Sequence, residues 1–228
     1  MIKINKSPNV PVTLQNAPVP KNSSDVDRKI YRAADVRAQL MTDQGRKCAY
    51  CECRVRESYN DVEHYRPKNI YYWLGHKWDN LLYACEECNR TYKKAKFPLR
   101  DETKRDLANQ NISQEEPLIV NPVVEDPSIH IKFKRYMAIP ITDKGIYTVE
   151  LFKLNNRPEL VEDRKGIFEE YNNLCKGMKI LTETLASENL PIDIINNLNQ
   201  YLCLTQKSLD LKTSADAPHS GMLISQIP

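Results

Sequence analysis

Two CxxC pairs, Cys48/Cys51 and Cys85/Cys88, constrain this chain more than any other feature, because each places two sulfurs on one tight turn. Four thiolates presented in this way make a closed tetrahedral site for zinc. Such a site is filled by protein ligands, so the metal is expected to hold the fold and to leave no position for a substrate. Cys53 falls two residues past Cys51 and breaks the pairing, which sets it aside as a ligand. Cys175 and Cys203 sit in helical patterns and read as buried thiols.

The remaining composition fits a protein that keeps its thiols reduced. The first residues, Met1-Ile2-Lys3-Ile4-Asn5-Lys6, lack the apolar run of a signal peptide, and no stretch approaches the ~18 apolar residues of a membrane span. A cytoplasmic location is therefore expected, and there paired CxxC spacing points to metal binding instead of disulfides. A net charge of +3 is too small to name a partner, so its distribution carries the argument. Between Cys88 and Arg100 lie Arg90, Lys93, Lys94 and Lys96, with no acidic residue among them.

Along the chain, Pro8, Pro11, Pro18 and Pro20 rule out a helix in residues 1–22, which read as an extended arm, either disordered or docked on a partner. Val26, Ile30, Ala33, Val36, Leu40 and Met41 then repeat at helical spacing, and a helix ending near Gly45 follows. Asp61–Tyr65 and Leu81–Ala84 read as short strands, with Trp73 and Trp78 as core between them, and the second CxxC opens a helix through Lys94. The composition shifts near residue 100, which divides a zinc-containing domain over 23–100 from a second unit over 101–228. In that unit Ile129–Phe133, Tyr136–Ile141 and Tyr147–Phe152 read as strands, the last two joined by a turn at Thr142-Asp143-Lys144-Gly145. Asn156 is the expected cap of a long helix, Pro191 ends it, and a second helix completes an antiparallel hairpin suited to partner binding. The tail from Thr213 is expected to be flexible or docked on another chain. The fold class is α+β.

The chemistry-bearing residues of the cysteine-framed stretch are Glu63, His64, Asn80 and Asn89, read in Glu63-His64, Trp78-Asp79-Asn80-Leu81-Leu82 and Cys85-Glu86-Glu87-Cys88-Asn89. This stretch resembles the HNH endonucleases, whose ββα-metal motif runs acid-His, then an Asn, then a His or Asn on the helix. The resemblance implies that Glu63 and Asn89 bind a divalent cation, Mg²⁺ or Mn²⁺, that His64 is the general base, and that Asn80 anchors the loop. Each role suits the residue: a neutral imidazole accepts a proton from water, and hard oxygen ligands suit magnesium. The motif's third position is Asn89 instead of His, the acid is Glu63 instead of Asp, and the family's helix lysine would fall at Tyr92, beside Lys93 and Lys94. Arg66, Lys68, Arg90 and Lys93 are candidates for phosphate contacts. His76 reads as a surface residue, and His130 and His219 have no supporting neighbours in the sequence.

The phrases Lys47-Cys48-Ala49-Tyr50-Cys51-Glu52, Val62-Glu63-His64-Tyr65-Arg66-Pro67-Lys68 and Phe97-Pro98-Leu99 are similar, more narrowly, to the HNH subunit of Septu-type bacterial anti-phage systems, including those attached to retrons. That resemblance implies a hetero-oligomer with an ABC/SMC-like ATPase and, in retron versions, a reverse transcriptase and its RNA-DNA product. It also implies a nucleic-acid substrate, DNA or RNA. The competing expectation is a non-catalytic zinc module that binds nucleic acid or protein, in which the acid-His pair has no task. Catalysis by the zinc itself is disfavoured because four cysteines close the site.

Overall fold

A computed structural model of the chain describes residues 1–55, 60–187 and 190–226. The chain mixes helices with two small antiparallel sheets. It begins with a short helix α1 (Val12–Gln15), which corrects the expectation of no helix in residues 1–22, since Pro11 stands at the cap before the first turn and breaks nothing; α2 (Arg28–Tyr31) and α3 (Ala34–Asp43) follow. The single helix expected from Val26 to Gly45 is thus broken at Arg32 and Ala33. Asp27 caps α2, accepting from the Lys29 amide at 2.8 Å, whereas α3 starts after Ala33 with no side-chain cap, and Asp35 in its first turn accepts from the Thr13 amide and hydroxyl.

The first sheet pairs β1 (Asn60–His64) with β2 (Leu81–Cys85), placing Glu63 opposite Leu82 and His64 opposite Leu81. The Cys48–Cys53 turn docks on this sheet through the Ala49 amide, which donates to the Tyr83 carbonyl at 2.9 Å. After β2 comes a π-helical turn, Glu87–Lys93, instead of a longer α-helix; the Lys94 amide reaches back five residues to the Asn89 carbonyl at 2.8 Å.

The second sheet pairs β3 (Ile131–Lys134) with β4 (Met137–Pro140). The third strand expected at Tyr147–Phe152 is instead helix α4 (Asp143–Leu151). Thr142, taken from the sequence as part of a turn, is the cap of that helix and accepts from the Gly145 amide at 3.1 Å. A short apolar run satisfies both periods; Thr142 caps the helix, and the packing of Thr148 and Val149 into the core selects it. The long hairpin is formed by α5 (Pro158–Leu185) and α6 (Ile192–Thr213); the residue before α5 that takes the cap position is Arg157, not Asn156.

One core crosses the composition change at residue 100: Tyr50 stacks on Phe152 at 4.1 Å, and the Tyr65 hydroxyl donates to the Ile119 carbonyl. Residues 1–22 lie against that core. Met1 and Ile4 are buried, the Ile4 amide donates to the Pro122 carbonyl, and Lys6 covers the Trp78 ring and donates to the Leu81 carbonyl. The tail carries α7 (Ser220–Ile224), whose Met222 and Leu223 are buried, while residues 227 and 228 lie outside the described residues. Trp73 and Trp78 are both buried, whereas Cys175 is half-buried and Cys203 exposed, so the expectation of two buried thiols does not hold. Cys203 sits on α6, which has no fully buried residue.

Candidate active site and cysteine cluster

The sulfurs of Cys48, Cys51, Cys85 and Cys88 all lie within 4.8 Å of one another. Tetrahedral zinc with bonds near 2.3 Å requires sulfur separations of roughly 3.8 Å, and Cys51 and Cys85 are 3.8 Å apart. The surroundings also suit thiolates, since Arg157 points a guanidinium N–H at the Cys88 sulfur at 3.4 Å and the Cys88 amide donates to the Cys85 sulfur. The donor set therefore fits zinc. Cys53 is also close, its sulfur 3.3 Å from that of Cys51, while remaining more open than Cys48, Cys51 or Cys88.

Beside the cluster, β1 carries Glu63 and His64 on successive positions, which point to opposite faces of the strand. His64 is buried, and its Nε2 lies 2.9 Å from the Gly75 carbonyl oxygen. A carbonyl only accepts, so Nε2 carries the proton and Nδ1 is left with its lone pair. Burial lowers the imidazole pKa to about 3, which keeps the ring neutral. Tyr31 braces it edge-on, with ring centroids 4.6 Å apart.

Glu63 is buried, and its Oε1 receives the Lys93 ammonium at 2.5 Å and the Tyr50 hydroxyl at 3.4 Å. Burial pushes its pKa up, and Lys93 opposes that shift. Lys93 also donates to the His64 carbonyl at 2.9 Å and has no exposed surface. It does not stand at the surface where a phosphate contact would place it. The π-helical turn goes with this: it absorbs one extra residue, and the inward lysine is Lys93, one residue after Tyr92, the position at which the family pattern would put a lysine.

Asn80 lies just before β2 and ties three segments. Its Oδ1 accepts from the Arg66 amide at 2.7 Å, and its Nδ2 donates to the Arg66 and Leu74 carbonyls, both at 3.1 Å. Asn89, on the π-helical turn, lies beside Asp61 and helps to hold its carboxyl pKa down. A carboxylate accepts only, so the amide nitrogen faces Asp61 and Oδ1 is left to act as a ligand. Asp61 itself is gripped by Arg90 at 2.6 and 2.8 Å and by Arg32 at 3.4 Å, which hold its pKa down against the effect of burial. Asp61 is a site residue that the acid-His motif does not include. Its position two residues before Glu63, on the same strand face, was the available signal.

Glu63, His64, Asn89 and Asp61 open onto one cleft of about 470 Å³, lined also by Arg28 and Tyr31 of α2, by Arg32 just after it, and by Lys68, Asn69, Arg90 and Lys94. Of the expected phosphate contacts, Lys68 and Arg90 face this cleft. Arg66 does not: it is buried against Tyr71 and Phe97 and paired with Glu115. The carboxyl group of Glu63 and the amide oxygen of Asn89 are a hard donor pair that fits a divalent cation, although Lys93 already supplies one positive charge there.

The other histidines are better connected than the sequence indicated. His76 is buried, held by the Pro18 carbonyl and the Asp27 amide. His130 bridges Glu125 and Thr142, and His219 is buried, with its amide donating to the Glu52 carbonyl. None of the three lines the cleft.

The family model of the HNH endonucleases matches residues 48–95, which hold both cysteine pairs, Glu63, His64, Asn80 and Asn89. The Septu protein PtuB of Bacillus mycoides (strain KBAB4) is 30% identical over 217 residues, covering 85% of this chain and 73% of that protein. The chain belongs to this Septu PtuB family of HNH proteins. The Septu protein PtuB of Bacillus thuringiensis is 31% identical over 198 residues, which is 85% of this chain and 65% of the relative. The Septu protein PtuA of Bacillus mycoides (strain KBAB4) is 33% identical over 144 residues, 57% of this chain and 20% of that much longer protein. The matched HNH segment starts at the first zinc-fitted cysteine and therefore leaves out α2, although α2 forms part of the cleft. No helix among the described residues is long and apolar enough to cross a membrane.

Proposed function

We propose that the chain is a metal-dependent endonuclease that hydrolyses phosphodiester bonds in nucleic acid, acting as effector of an anti-phage defence complex. The observation that carries this reading is the His64 imidazole. Its Nε2 is held by the Gly75 carbonyl and its Nδ1 is left to accept a proton, beside Glu63 and Asn89 in a cleft rich in cations.

In this mechanism His64 Nδ1 takes a proton from water as the water oxygen attacks phosphorus, and the bond from phosphorus to the leaving oxygen breaks. Glu63 and Asn89 would hold Mg²⁺ or Mn²⁺, which offsets charge on the phosphate and the leaving oxygen. Asn80 keeps the segment after β1 in place, so that His64 meets the substrate at a fixed depth. The zinc of the cysteine cluster has a structural task. Lys68 and Arg90 contact phosphates.

The likeness to PtuB and PtuA supports an assembly with an ABC/SMC-like ATPase, and a retron-linked version would add a reverse transcriptase and its RNA-DNA product. The exposed Ile180, Ile192, Tyr201 and Leu211 of the α5–α6 hairpin suit a docking surface.

One observation favours a second reading, a non-catalytic zinc module: the Lys93 ammonium already occupies the Glu63 carboxylate. Cleavage assays decide between the two. The purified chain, alone and with its PtuA-like partner, is given DNA and RNA with and without Mg²⁺. The endonuclease reading expects Mg²⁺-dependent cutting that is lost in His64→Ala. Cutting that persists undiminished in His64→Ala would remove His64 as the base, and binding without cutting under every condition would leave the zinc module.

A further inference from the structure

The cleft at His64 carries positive charge that neither the metal site nor the zinc site uses. Its acids are already engaged, Asp61 by Arg90 and Arg32 and Glu63 by Lys93. Three further cations line the same cleft, and among the described residues Arg28, Lys68 and Lys94 have no acidic partner. They come from three separate parts of the chain: α2, the segment after β1, and the residue that ends the π-helical turn.

The placement of Arg28 is specific. Residues three and four apart share one side of a helical turn, so Arg28 and Tyr31 of α2 and Arg32, the residue that caps its end, lie on one side. Two of the three have fixed partners in the site, because Tyr31 stands edge-on against the His64 ring and Arg32 reaches Asp61. That face therefore lies against the reacting group, and it brings Arg28 with it. Lys68 is 5.9 Å from the centre of the Tyr31 ring, on the same side. Uncompensated like charges around one cleft repel each other and are tolerated where a polyanion enters.

We propose that α2 supplies Arg28 to a phosphate clamp, completed by Lys68 and Lys94, that grips the sugar-phosphate backbone beside the scissile phosphate. This rests on the endonuclease reading above, and Arg28 lies outside the segment matched by the family model. The clamp takes a nucleic-acid strand through its phosphates alone. It is therefore indifferent to base sequence, and it orients the strand relative to His64 without touching the reacting atoms.

The test uses the full chain with His64→Ala, which keeps the probe intact, and measures the binding of short labelled single-stranded DNA and RNA of one sequence across a salt series. Arg28→Gln, Lys68→Gln and Lys94→Gln are each expected to weaken binding. Each should also flatten the slope of log K against log salt by about 0.7. Lys134→Gln, an exposed position of β3 outside the cleft, is the control and leaves both unchanged. In the chain that retains His64, the three clamp substitutions raise KM and leave kcat in place, a split that a loss of folding would not produce. An unchanged slope in Arg28→Gln overturns the clamp, as does absence of binding to either probe by the parent chain. Comparison of the two probes separates DNA from RNA as the source of the phosphates. Cleavage of the probe by the His64→Ala chain itself overturns the catalytic reading while leaving the clamp standing.

Discussion

The cysteine cluster and the His64 cleft flank the same two-stranded sheet and share the π-helical turn that follows it, yet they handle charge in different ways. In the cluster every donor is a protein thiol, the sulfurs converge within 4.8 Å, and Arg157 supplies one outside cation. In the cleft the donors are few, each is steered by a second residue, and cations are left over: Asn89 is oriented by Asp61, His64 by Gly75, and Glu63 is compensated by Lys93. A saturated site gives rigidity, and an unsaturated one keeps room for a reacting molecule.

The largest expected effect tests the cluster's side of this contrast. Cys48→Ser should release the metal and abolish the cooperative thermal transition, since structural zinc contributes on the order of 10 kcal/mol in small zinc domains. Zinc content by atomic absorption, read with the melting curve, checks it; unchanged zinc and an unchanged melt would erase the distinction between the two regions. His64→Ala should do the opposite, lowering the cleavage rate by about 10²–10⁴-fold while zinc content stays full.

Lys93→Met probes the link between the regions. It leaves the buried Glu63 carboxylate uncompensated and should destabilise the chain by about 3–5 kcal/mol in denaturant unfolding. Added Mg²⁺ should recover more of that loss than it adds to the unsubstituted chain. Equal effects of Mg²⁺ on both would separate Glu63 from the metal site.

Acid should weaken the cluster's surroundings. Burial lowers the pKa of His219 to about 4, so the ring is neutral in the fold while the unfolded chain binds its proton near pH ~6.5. The unfolded state then binds more protons in that window. The contribution is complete above about pH 6.5 and is lost as the pH falls towards 4, up to about 3 kcal/mol. Melting temperatures against pH should show a shallower decline in His219→Gln. The smallest effect is expected at Asp61→Asn, which frees the Asn89 amide to turn and should weaken Mg²⁺ dependence by about 10–100-fold in half-saturating concentration. No change there would mean that Asn89 orients itself.

Local spacing made much of the site legible. The CxxC pairs define knuckles whatever the rest of the chain does, and Glu63, His64, Asn80 and Asn89 sit at short, fixed offsets from those knuckles. The helical hairpin was legible from its period, and the α+β class from the mixture of periods. Helix α4 was not, because Thr142 acts equally well as a turn residue and as a cap, and only the packing of Thr148 and Val149 into the core selects the helix.

The sequence by itself determined which donors exist and which of them lie within one turn or strand of each other. The tertiary structure alone decided which charges meet. Lys93 of the π-helical turn points inward onto Glu63, Arg66 is withdrawn to Glu115, and α2 is carried across some thirty residues of sequence to stand against His64. The physical reason is the range of the forces involved. Backbone geometry fixes neighbours along the chain, whereas the pairing of a buried cation with a buried carboxylate is set by the approach of distant segments.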